Sequence, residues 1–291
     1  MPAPFPPMNE TWNLLKTTGQ RWIAHNTPRL GAALAYYTVL SMAPLLVVAV
    51  GVAGLAFGEQ AARGEIVNQV ETLVGSDVAK IIQDLLKSAH QQNHGVFASV
   101  VGGATLLIGA SAVFGELRDT LNTIWNFKET GGSSIKGMVR FRLFTFAVVM
   151  VAGFLLLVSL VISALLAFLG RYVNSHFPVP SILMRVVEPL FSMFVTAVLF
   201  ALIYKYIPDV PVKWSDVRIG AVVTAILFSA GKFLIGLYLG KASVGSAYGA
   251  AGSLVVLLVW VYYSAQIFFF GAEFTKVFSE RNNKMNPSSA S

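Results

Sequence analysis

The chain is 291 residues long, 55% hydrophobic and only 12% charged, with no cysteine and a formal net charge of +7. A soluble domain carries about a quarter charged residues, so most of this surface does not face water, and the missing thiols exclude disulfides, thiolate metal centres and cysteine nucleophiles. The lysines and arginines lie beside apolar segments, as they do on the cytoplasmic face of a membrane protein; no nucleic-acid partner is expected.

Residues 1–29 hold Pro2, Pro4, Pro6, Pro7, Glu10 and Lys16 without a continuous apolar core. They read as a cytoplasmic N-terminal segment and not as a cleavable signal. A spanning helix needs about 20 apolar residues. Six stretches meet that need between residues 30 and 277: Leu30–Phe57, which Pro44 should kink; Val96–Phe114, continuing as helix to Trp125; Phe141–Leu169; Ile182–Ile207, with Pro189 inside; Val217–Leu239; and Ala247–Phe270, running on through Glu273. Residues 58–95, between the first two spans, repeat apolar residues at helical spacing: Ile66, Val67, Val70 and Val74, then, after Gly75, Val78, Ile81, Ile82, Leu85 and Leu86. That pattern predicts two short amphipathic helices on the outer face, resting on the bundle or in the headgroups, or else lidding an external opening. Lys128–Lys136 has the composition of a linker, and residues 278–291 read as a disordered tail.

With the N-terminus inside, fourteen of the 21 lysines and arginines fall on the cytoplasmic side, from Lys16, Arg21 and Arg29 to Lys276, Arg281 and Lys284. Six fall outside, and Lys232 lies within the fifth span. The bias predicts an all-α, polytopic membrane protein with six transmembrane helices and both termini in the cytoplasm.

Three long motifs occur in order: YYTVLSMAPLL in the first span, FGELRDTLNTIW after the second, and SAYGAAGSLVVLLVWVYYSAQIFFFGAEFTKVF at the end. Together they resemble the YihY/BrkB family of bacterial inner-membrane proteins, over about residues 20–280. The resemblance implies a six-helix plasma-membrane protein of poorly defined biochemistry, once labelled ribonuclease BN. It carries over no catalytic residues, so the candidate sites rest on the residues themselves.

Ionisable groups in a spanning helix are costly and face the bundle interior or a water-filled cavity. The outer set is Arg185, Glu188 and Lys232. Arg185 and Glu188 share a face three residues apart, and Lys232 follows Arg218 by about 21 Å of helix, which puts it in the outer half of its span. Tyr36, Tyr37 and Gln266 are further polar groups that could line the same cavity. A mixed-charge site of this kind suits a zwitterion, an organic anion or a lipid headgroup; a structural ion pair, or Lys232 snorkelling outward, is the alternative. The inner set is Glu116, Arg118, Asp119, Asn122 and Glu273, at the cytoplasmic ends of the second and sixth spans. It reads either as interfacial anchoring or as an inner gate. Gly236 and Gly240 form a GxxxG suited to close helix packing. Arg29-Leu-Gly-Ala and Arg218-Ile-Gly-Ala, opening the first and fifth spans, hint at a repeat of a length that chance also produces.

His90 and His94 have a zinc-compatible spacing but no obvious third ligand, and P-loop, HExxH and GxSxG motifs are absent from the sequence. No metal, no cofactor and no enzymatic activity are expected. The expected role is transport or export of a small polar, zwitterionic or anionic solute or a lipid headgroup, with the bilayer and that solute as partners and self-association open. A non-transporting scaffold for envelope integrity is the second reading, and a membrane enzyme acting on lipid the third.

Overall fold

The computed structural model describes residues 8–74, 76–91, 96–127, 181–241, 248 and 251–285. Among these residues every regular element is an α-helix: α1 (Met8–Ala24), α2 (Thr27–Phe57), α3 (Glu59–Val74), α4 (Ser76–Gln91), α5 (Val96–Ile124), α6 (Ser181–Tyr206), α7 (Trp214–Lys241) and α8 (Gly252–Met285). The third expected span, Phe141–Leu169, and the Lys128–Lys136 linker lie outside the described residues, as do His94 and the side chain of His90. Within the described part, three helices are long and apolar enough to cross a bilayer, through Pro189–Tyr206, Trp214–Tyr238 and Gly252–Asn283.

Local chemistry explains where several helices start and stop. α1 ends at Asn26, whose φ of 54° is left-handed; asparagine tolerates that conformation better than most residues. The Asn26 carbonyl then accepts from the Arg29 and Leu30 amides at the start of α2, where Pro28 occupies a first-turn position that needs no donor. Asn126, with φ of 53°, closes α5 in the same way. Gly58, with φ of 81°, makes the turn from α2 into α3.

The N-terminal ends of α2 and α7 and the C-terminal ends of α5, α6 and α8 converge at one end of the bundle. Gln266 Nε2 on α8 reaches the Pro28 carbonyl on α2 at 3.4 Å. Tyr204 on α6 donates to the Phe268 carbonyl on α8 at 2.6 Å, and Asn282 on α8 donates to Asp216 on α7 at 3.1 Å. The main core fills this end, with Leu34, Leu117, Leu121, Ile124, Tyr204, Val217, Phe268, Phe269 and Ala272 packed together.

The tightest joint is between α7 and α8. Gly220 and Thr224 are one turn apart on α7, and Gly271 and Thr275 are one turn apart on α8. A Cβ at Gly220 would strike Thr275, and one at Gly271 would strike Thr224 and the Tyr204 hydroxyl. Each threonine bonds back to the carbonyl of the glycine preceding it, Thr224 to Gly220 and Thr275 to Gly271, both at 2.7 Å. The two helices therefore interlock through reciprocal glycine–threonine pairs, and the buried hydroxyls are satisfied without a partner from the bilayer. The GxxxG expectation is corrected at Gly236, whose missing side chain faces open space. The glycines of the two Arg-x-Gly-Ala stretches, Gly31 and Gly220, both lie against α8, on Gln266 and Thr275.

α4 buries Val78, Ala79, Ile82 and Leu86, and three of these pack in a second cluster with Ala35, Leu46 and Val50 of α2 and Leu257 and Val261 of α8. The C-terminus departs from expectation. A disordered tail from residue 278 does not hold as far as Met285, because α8 continues to that residue. Phe278 is buried with Leu14 of α1, Phe274 and Val277, so apolar contact with α1 extends the helix past the point where composition alone suggests it ends.

Candidate functional site

α1 presents Leu14, Thr18, Arg21 and His25, spaced at helical intervals, to the end of α8. Leu14 supplies the apolar contact with Phe274, Val277 and Phe278. Around it the two helices are joined by ionic contacts. Arg21 meets Glu280 at 2.7 Å and Glu10 pairs with Arg281; within α8, Lys276 lies 3.7 Å from the same Glu280. The Glu280 carboxylate holds the Arg21 guanidinium above its already high range. At the centre is Glu273, which is 0% exposed. Its Oε1 is 2.5 Å from His25 Nδ1, and its Oε2 has no hydrogen-bond partner among the described residues. A fully buried carboxylate with an unfilled oxygen is expensive in any protein, and more so on a helix apolar enough to cross a bilayer.

The expected inner set therefore separates into two arrangements. Glu273 joins His25. Arg118 and Asn122 instead clamp Asp209, in the connection between α6 and α7. Arg118 Nε and Asn122 Nδ2 donate to Asp209 Oδ2 at 2.7 and 2.6 Å, and Asn122 Oδ1 accepts from the Asp209 amide at 2.9 Å. Asp119 is exposed, and Glu116 is half-buried just past the apolar run of α5. Burial, reinforced by Asp119, raises the Glu116 carboxyl above its usual range, against the pull of Arg29.

Of the outer set, Lys232 is half-buried on α7. Arg185 and Glu188 lie on α6, with their side chains outside the described residues. Tyr36 is 55% exposed and so points away from the helical core; half-buried Tyr37 meets its ring edge-on at 5.6 Å. Gln266 is held on Pro28 and Gly31 of α2, apart from Tyr36.

His25, Arg21, Glu280 and Asp209 escaped the sequence reading. Each sits in a polar stretch or a connection, where charge is ordinary. A signal was present for α1, whose Leu14, Thr18, Arg21 and His25 fall on one helical face. Pro208 and Pro211 likewise mark a rigid connection around Asp209.

Comparison with known proteins bears on this arrangement. The sequence model of the virulence factor BrkB family matches residues 18–291. The chain belongs to the BrkB family. A UPF0761 membrane protein of Verminephrobacter eiseniae is 28% identical over 89% of this chain and 61% of its own length. One from Ralstonia nicotianae is 24% identical over 84% and 54%, respectively. The chain thus spans less than two thirds of the length of each of these two relatives. A UPF0761 membrane protein of Idiomarina loihiensis is 28% identical over 92% of this chain and 91% of its own length. No solved structure matches. Like these relatives, this BrkB-family chain is an integral membrane protein.

Proposed function

We propose that this BrkB-family protein crosses the bacterial plasma membrane six times with both termini in the cytoplasm, and that it moves a small polar, zwitterionic or anionic solute, or a lipid headgroup, across it. The observation that carries the transport reading is Glu273, fully buried with one unpartnered oxygen on an apolar spanning helix. Such a group is seldom retained for stability alone, because an apolar side chain would pack there without desolvating a charge. The convergence of five helix ends beside His25, Arg21 and Arg118 supports placing that end on the cytoplasmic side, where basic residues collect.

Two measurements test the reading. The chain has no cysteine, so single cysteines at Lys16, Ser215 and Tyr248 report topology cleanly. The first two should label from the cytoplasmic side and the third from the outside. Labelling of Lys16→Cys and Ser215→Cys from opposite sides would end the six-span arrangement. Proteoliposomes offered a radiolabelled zwitterion, a dicarboxylate and a fluorescent phospholipid should show flux of at least one, reduced by Glu273→Gln. Absence of flux across that set favours the second reading, a non-transporting scaffold. Its own support is the ionic stitching of α1 to α8 by Arg21–Glu280 and Glu10–Arg281.

A further inference from the structure

The charges around Glu273 nearly balance. Arg21 and His25 face it from α1, and Lys276 and Glu280 follow it on α8. Other charged groups at this end are the Glu10–Arg281 pair between α1 and α8, the Arg118–Asp209 pair, Arg29 on α2, Glu116 on α5, and Asp216 on α7, which is bonded to Ser215 and Asn282. With His25 neutral, Arg21 is the cation that α1 sets against Glu273 and Glu280, and Lys276 on α8 completes a cluster core without net charge. One added proton on His25 places a second cation of α1 directly against the Glu273 carboxylate. Among buried groups the low dielectric strengthens that attraction.

The proton has a place to go. His25 is at the last turn before Asn26, and its side chain is 20% exposed while that of Glu273 is 0% exposed. When the Nδ1 proton is donated to Glu273 Oε1, the remaining ring nitrogen, Nε2, is the basic one. Water at the helix end can protonate Nε2, giving an imidazolium that shares its Nδ1 proton with the carboxylate. The free Oε2 of Glu273 offers a second position for the same proton.

We propose that His25 and Glu273 form a proton-binding site reached from the end of α1, and that proton occupancy sets whether α1 stays docked on α8. The protonated cluster holds the helices together, because Arg21 and His25, both positive on α1, then meet the Glu280 and Glu273 carboxylates of α8. Loss of the proton leaves the buried Glu273 carboxylate facing a neutral ring and weakens the ionic part of the contact. The apolar part of the contact is small, Leu14 on Phe274, Val277 and Phe278, so a change in the ionic part can decide the balance. This deepens the transport reading by making the proton its coupling ion, and rests on that reading for the coupling alone.

The test uses the full chain in nanodiscs with spin labels at Lys16→Cys on α1 and Ser215→Cys at the start of α7, both exposed positions. Pulsed electron resonance distances are recorded between about pH 8 and about pH 5. The distance should be narrowly distributed at low pH and should lengthen and broaden as the pH rises through a single midpoint. His25→Asn and Glu273→Gln should each remove that change. His25 is partly exposed, so His25→Asn serves if Glu273→Gln fails to fold. Distances independent of pH in the unmutated site, or a pH response unchanged by both substitutions, overturn the proposal whether or not flux is found. A response abolished by the substitutions upholds the proton site even where no solute is moved.

Discussion

The two halves of α7 differ in kind. The inward face of its first half is closely fitted: Val217, Ala221, Thr224 and Ala225 are each at most 1% exposed and Gly220 is covered by Thr275, while Val222 and Ile226 look outward. Its second half presents Phe233, Leu234, Leu237 and Tyr238 outward, at 67%, 58%, 44% and 56% exposure, and a Cβ at Gly236 would meet nothing, with Gly231 and Ile235 keeping the contact to α8. In water such an apolar surface would be a liability. In a bilayer it is the expected exterior, because lipid chains solvate it as well as protein does. The same helix is therefore fitted by shape and hydrogen bonds at one end, and at the other by a narrower apolar contact with most of its surface left to the solvent. Specificity of packing is concentrated where the polar groups are.

That contrast sets the order of expected effects. Gly271→Ala should be the most damaging small change, lowering stability by about 2–3 kcal/mol through overpacking against Thr224 and Tyr204; unfolding in mixed detergent micelles would read it. If Gly271→Ala is tolerated as well as Gly236→Ala, the interlock is not what joins α7 to α8. Tyr204→Phe removes the hydroxyl that donates to the Phe268 carbonyl and should lose about 1 kcal/mol by the same measurement. Asp209→Ala releases Arg118 and Asn122 from a partly exposed clamp, with an expected loss of about 0.5–1 kcal/mol; a drop above 3 kcal/mol would mean that the clamp is far more buried in its membrane setting. Gly236→Ala should be neutral or stabilising by up to about 0.5 kcal/mol, since it gains helix propensity and meets no neighbour. The smallest effect concerns pH. Glu116 has a folded pKa raised by burial, so the folded state binds more protons than the unfolded one between the ordinary carboxylate value and the raised one. Stability should fall slightly as pH rises through that window, and Glu116→Gln should flatten the slope. A steeper slope in the variant would contradict the assignment.

The membrane class was readable from residue types alone, whereas Glu273 stood out only as one of several acids at a helix end. α6, α7 and the outer limit of α2 follow the apolar runs to within a few residues, since a span declares itself by continuous hydrophobicity. The grouping of the charges was much less legible. Glu116, Arg118, Asp119, Asn122 and Glu273 are neighbours by depth, yet depth does not say which way a helix is rotated. Rotation sends Arg118 and Asn122 to Asp209 and Glu273 to His25. Tyr36 and Gln266 separate for the same reason.

From the order of its residues alone, this chain specified hydrocarbon as its solvent, the approximate reach of its long helices and the charge bias between its ends. Those properties depend on what each segment is made of and are summed locally. The partner of the buried glutamate, the interlocked glycine–threonine pairs and the continuation of α8 past Glu280 were decided only by tertiary packing. They depend on the relative rotation and approach of helices far apart in the chain, with 248 residues separating His25 from Glu273. No local pattern encodes which of several possible faces those helices turn toward each other.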